Sequence, residues 1–167
     1  MKNTTRKTVM TALIAALVCV ATMIIKIPSP LKGYINLGDS IVLLSGWILT
    51  PFYGFMAAGI GSALADILSG YLIYAPATFV IKGVMALAAF YIYKGLSKNT
   101  KGIVARIVSG VISEIIMILG YFVFEGFMYG FAPSVVNIPP NGVQGIAGII
   151  IGIILVRVFE KNKFTME

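Results

Sequence analysis

The chain has 167 residues, 59% of them hydrophobic and only 11% charged, with a mean hydropathy of +0.97. That balance excludes a soluble globular domain of this size and points to an integral membrane protein. The net charge of +7 comes from basic residues dispersed along the chain rather than gathered with aromatics on one face, so nucleic acid is not an expected partner.

The first apolar run, about Val9 to Ile25, passes into Lys26-Ile27-Pro28 without a small-residue cleavage site. It reads as a retained transmembrane helix rather than a signal peptide. It carries the lone cysteine, Cys19, which excludes an internal disulfide, and the chain has no histidine.

Three basic clusters punctuate the chain: Lys2, Arg6 and Lys7; then Lys94, Lys98, Lys101 and Arg106; then Arg157, Lys161 and Lys163. The positive-inside rule assigns all three to the cytoplasm, so an even number of crossings separates each from the next. Val9 to Ile25 and Ala77 to Tyr93 supply one crossing each, and the apolar stretch from Asp39 to Gly70 must supply two. Thr50-Pro51 divides it, because proline restricts the residue before it and cannot continue a helix. Ile103 to Phe127 and Asn141 to Phe159 fill the second interval, each near the ~20 residues that a bilayer requires.

The predicted fold class is therefore all-α: a six-transmembrane-helix bundle in a single domain, 1–167, with both termini cytoplasmic and the chain in the cell membrane. The helices are expected at roughly 8–26, 39–50, 52–70, 77–94, 103–127 and 141–160. The second is short for a span and is expected to start below the outer surface, with Asp39 or Ser40 as its N-cap. Three outer segments follow, Ile27 to Gly38, Gly70 to Pro76 and Met128 to Pro140, all carrying tyrosine and proline, with asparagine in the first and third. They suit a semi-rigid lid over a small-molecule site, or equally an interfacial aromatic belt.

Few residues could carry chemistry. Without histidine or a cysteine cluster, the usual general bases, zinc ligands and triads are absent, and neither a metal nor a cofactor is expected. Gly33 to Ser40 has the glycine spacing of a phosphate loop, but Asp39 stands where that motif needs lysine. Any ATP-driven work must fall to another subunit.

Asp66 and Lys82 lie at similar depth on either side of the Gly70 loop. They read either as an ion pair bracing the third and fourth helices or as ligand contacts. Glu114 lies mid-helix, where a carboxylate is costly unless it faces the bundle interior. Glu125 lies nearer the outer end, where solvation is easier. Asn141 and Gln144 sit one turn apart with amides pointing the same way, a pair suited to a heteroaromatic ring or hydroxyl; N-capping would explain Asn141 alone. Small residues recur at helical spacing in Ala12/Ala16, in Gly54/Ala58/Ser62/Asp66 and in Gly148/Gly152. Such stripes permit close helix approach, and Ala12/Ala16 is also a candidate partner surface.

The pattern resembles the substrate-binding S components of energy-coupling factor (ECF) vitamin transporters, in the group that takes riboflavin, pyridoxine-like and hydroxymethylpyrimidine-like cargo. The resemblance rests on the basic N-terminus before Ala12-x-x-x-Ala16, on Tyr34-Ile35-Asn36-Leu37-Gly38-Asp39, and on the Pro51-Phe52-Tyr53-Gly54 turn. Gly61 to Asp66, Tyr74 to Thr78, Lys82-Gly83 and Pro140-Asn141-x-x-Gln144 extend it.

It implies a non-enzymatic subunit that binds a small water-soluble vitamin, partners a transmembrane coupling protein (the T component) and two ATPase subunits, and topples in the lipid bilayer to release its cargo inside. Ala12 and Ala16 would dock on the coupling protein. The candidate substrate-binding set is Tyr34, Asn36, Asp39, Tyr74, Lys82, Glu125, Asn141 and Gln144. Two alternatives from other classes are a small intramembrane enzyme acting on a lipid or prenyl substrate through Asp39, Asp66 or Glu114, and a stand-alone secondary carrier.

Overall fold

A computed structural model describes residues 2–31 and 33–161. Lys163, assigned above to the last basic cluster, lies outside the described residues. Among them, five helices are long and apolar enough to cross a membrane: Thr4–Ile24, Pro51–Leu68, Ala75–Leu96, Gly102–Tyr129 and Phe131–Lys161, with Gly38–Ile48 shorter. In chain order the elements are α1 (Lys2–Ile24), a hairpin of β1 (Lys26–Pro28) and β2 (Tyr34–Asn36), α2 (Gly38–Ile48), α3 (Pro51–Leu68), α4 (Ala75–Leu96), α5 (Gly102–Tyr129), α6 (Phe131–Ser134), a 3-10 turn (Val135–Asn137) and α7 (Ile138–Lys161). The long helices expose large apolar side chains along their outer faces, Leu13, Val80, Leu119 and Ile150 among them, as lipid contact requires.

The short helix is the centre of the bundle. All 11 residues of α2 are buried, and it packs against α1, α3, α4, α5 and α7. At ~1.5 Å per residue it rises about 16 Å, roughly half of a ~30 Å hydrocarbon core. It ends where expected: Leu49 and Thr50 are extended, and Pro51 opens α3. Its start differs. Leu37, not Asp39 or Ser40, occupies the N-cap position, where its apolar side chain cannot cap; the Asp39 carboxylate is engaged inside the bundle, and the Asn36 side-chain oxygen takes the Gly38 N–H.

Small residues let the helices close on α2. A Cβ added at Gly46 would stand 2.5 Å from the Ala86 carbonyl of α4, and one at Gly152 would stand 3.1 Å from the Ser40 carbonyl. The Gly148/Gly152 stripe is thus the seam between α7 and α2, while Gly61 brings α3 against the Ala15 carbonyl of α1. Ile14, Val18, Leu43, Leu44, Met85, Met117 and Val156 fill the remaining space.

Two connections were expected to be loops and are more ordered. In Ile27 to Gly38 the chain pairs Lys26 with Asn36 and Pro28 with Tyr34, turning through Gly33 at a φ of +106°. In Met128 to Pro140 it winds into α6 and the 3-10 turn, and α7 already begins at Ile138. Pro139 and Pro140 occupy its first turn, where missing N–H groups cost nothing.

Candidate functional site

A half-open cleft lies where the hairpin meets the C-terminal ends of α3 and α5 and the N-terminal ends of α4 and α7. Local chain geometry delivers its side chains. α3 stops in a Schellman motif: the Tyr71 N–H donates to the Asp66 carbonyl at 2.8 Å and the Gly70 N–H to the Ile67 carbonyl at 3.2 Å, with Gly70 at a φ of +84°. That turn sets the Asp66 carboxylate and the Tyr71 ring beside one another at the cleft wall.

The floor is a buried polar relay. Asp39, fully buried at the second residue of α2, forms an ion pair with Lys82 of α4 and accepts a hydrogen bond from Gln144 Nε2 at 2.6 Å. Gln144 Oε1 accepts the Asn36 backbone N–H at 2.7 Å, and the Asn36 side-chain oxygen accepts the Gly38 N–H at 2.8 Å. One glutamine therefore ties α7 to α2 and to β2. The Lys82 ammonium also stands 5.4 Å from the Tyr121 ring centroid.

This corrects the pairing considered from sequence. The partner of Lys82 is Asp39 rather than Asp66, since position along a helix gives depth but not direction. Glu114 does face the interior as its mid-helix position required. It is buried beside Asp39, against Gly145 and Gly148, and neither of its carboxylate oxygens has a hydrogen-bond partner.

The walls hold two further carboxylates. Asp66 accepts the Tyr34 hydroxyl at 2.7 Å. Burial, reinforced by the Asp66 charge, pushes the Tyr34 phenol well above its ordinary range, so it stays a donor. Glu125 of α5 accepts Asn137 Nδ2 at 2.9 Å on each oxygen and the Tyr74 hydroxyl at 3.4 Å. Asn137 in turn accepts the Leu31 N–H at 3.3 Å, which links the hairpin loop to the 3-10 turn across the cleft. Tyr34 and Tyr71 lie with ring centroids 4.8 Å apart, and Thr78 shares a 3.0 Å hydrogen bond with Tyr121.

Of the eight expected binding residues, Tyr34, Asn36, Tyr74, Glu125, Asn141 and Gln144 line this cleft. Asp39 and Lys82 do not line it; they stand behind Gln144. Asn141 lies within α7, whose first residue is Ile138, so it does not serve as an N-cap. Asp66, considered from sequence as either a brace or a ligand contact, also lines the cleft, with Ser29, Gly33, Tyr71, Thr78, Tyr121 and Asn137, which were not in the expected set. One had a usable signal: Tyr121 precedes Glu125 by four residues on the same face of α5. Among the described residues no group of three or more acidic or cysteine side chains converges as a metal site.

At the far end, Ala12 and Ala16 are exposed in an apolar groove between α1 and α3, with Phe52, Met56 and Leu64 on its other wall.

Residues 2–161 match the family model of the ECF-type riboflavin transporter, S component. The chain belongs to that S-component family. A protein of Pyrococcus woesei, described as an uncharacterized protein in the gap 3′ region, is 36% identical over 136 residues, covering 81% of this chain and 88% of the relative. Among solved structures, the S component of a bacterial ECF transporter superposes with a TM-score of 0.71 at 26% identity, covering 95% of this chain and 97% of the other. The S component for biotin from an ECF-type ABC transporter has the same fold, with a TM-score of 0.67 at 17% identity and coverage of 95% and 93%.

Proposed function

We propose that this protein is the non-catalytic, substrate-binding subunit of an ECF-type importer for a small water-soluble vitamin or precursor, and that the tyrosine- and amide-lined cleft is its binding site. The observation that carries the reading is the convergence of polar side chains from β2, α3, α4, α5, the 3-10 turn and α7 on one cavity, in a chain whose long helices otherwise present apolar outer faces. Tyrosine faces offer stacking and the amides offer paired donors and acceptors, which suits a heteroaromatic ring bearing hydroxyls. Asn141 and Gln144 contact the ligand, while Asp39 and Lys82 act through Gln144 as a brace.

The chain crosses the cell membrane six times with both termini in the cytoplasm. In support, Lys7 faces the Tyr53 ring, and Arg106 reaches both Tyr93 and Glu160. The start of α1, the start of α3 and the α4–α5 turn therefore share one basic end with the end of α7. The groove at Ala12 and Ala16 docks a transmembrane coupling protein, which carries two ATPase subunits, since this chain has no nucleotide loop of its own. Purified protein should bind one vitamin-class ligand without ATP, and Asn141→Ala or Gln144→Ala should weaken that binding. Unchanged affinity in both would remove the cleft assignment.

A further inference from the structure

Charge is distributed unevenly around the cleft. Among the described residues its lining carries two carboxylates, Asp66 and Glu125, and no cationic side chain. Both are buried, at 6% and 3% exposure, and the hydrogen bonds each accepts come from neutral groups, Tyr34 and Thr78 for Asp66 and Asn137 and Tyr74 for Glu125, with the Lys82 charge acting on Asp66 from farther away. Hydroxyl and amide donors ease a carboxylate's burial without cancelling its charge, which inside a helix bundle is expensive. The nearest buried cation, Lys82, is committed to Asp39. Lys26 of the hairpin is exposed, bonded to Ser69 Oγ at 2.9 Å and stationed 5.7 Å from the Tyr34 ring centroid. Between the two acids stand Tyr34, Tyr71, Tyr74 and Tyr121, whose π faces also attract positive charge.

We propose that the cleft selects a cationic ligand: a vitamin-class heteroaromatic carrying a quaternary ring nitrogen or a protonated amine, held between the Asp66 and Glu125 carboxylates and the tyrosine faces. This rests on the binding-site reading above and narrows it. A neutral ring system would bring no counter-charge to either carboxylate, and a phosphate group would bring a like charge.

The test titrates the purified full-length chain, in detergent and without ATP, with four probes: thiamine (cationic), pyridoxamine (protonated amine), riboflavin (neutral) and pyridoxal phosphate (anionic). The expected result is tightest binding of thiamine or pyridoxamine, by at least about tenfold over the other two, with Glu125→Gln or Asp66→Asn lowering that affinity roughly tenfold. Riboflavin or pyridoxal phosphate as the tightest probe would overturn the charge selection while leaving a vitamin-binding cleft standing. Binding of none of the four would overturn the selection and count against the cleft itself. The ranking on the unaltered protein does not depend on either variant folding.

Discussion

Lys82→Met is the most informative single change outside the cleft. Both partners are buried, Asp39 at 0% exposure and Lys82 at 3%, so the substitution strands a carboxylate where water does not reach. Removing one member of such a pair costs about 3–5 kcal/mol. A loss within that range is expected here, because Asp39 is left without a cationic partner. Gln144 Nε2 remains on Asp39 but carries no formal charge to replace it. The assay is reversible unfolding of the detergent-solubilised protein in a double-mutant cycle of Lys82→Met, Asp39→Asn and the combination. The neutral double variant should recover much of the loss, giving a coupling of about 2 kcal/mol or more, within the range seen for directly contacting pairs. A coupling below about 0.5 kcal/mol would refute the brace.

Other outcomes follow from the same geometry. Glu114→Gln should be neutral or stabilising, by up to about 1 kcal/mol, in the same unfolding assay, since an amide donor then stands beside Asp39 where the buried carboxyl group does now. Destabilisation would mean that Glu114 is satisfied in a way the geometry does not contain. Gly46→Leu should unfold the bundle, its side chain being driven into the Ala86 carbonyl, and retention of a wild-type melting curve would argue against the close α2–α4 seam. Ala12→Trp or Ala16→Trp should leave ligand affinity unchanged and abolish uptake by the assembled transporter; normal uptake would remove the docking role. In a Cys19→Ser background, a cysteine at Lys98 should react with a membrane-impermeant maleimide only after the cells are opened, and labelling of intact cells would reverse the topology.

The sequence reading and the structure agree where local chemistry speaks plainly. Proline after Thr50 breaks the apolar stretch on sterics alone, and the charges at Lys94 to Arg106 mark the turn between α4 and α5. The site is harder to read, because its contacts join residues such as Asn36 and Gln144, 108 positions apart, through a backbone N–H that no side-chain pattern reveals. Lys82 illustrates the general difficulty: counting residues from a loop gave a height at which two aspartates were available, and only the packing of α2 inside the bundle decides between them. The hairpin was missed because strands of three residues, one containing Pro28, carry no alternation long enough to read. Asn137 was missed because a proline-rich stretch reads as irregular until the winding before α7 is seen.

The central claim is that this chain holds a small vitamin-class molecule by itself. Mass spectrometry of ligand released from the protein after purification without nucleotide tests it most directly. One water-soluble heteroaromatic molecule per chain is expected, retained by the unaltered protein and lost from Gln144→Ala. Recovery of only lipid or prenyl species, present equally in both proteins, would contradict it.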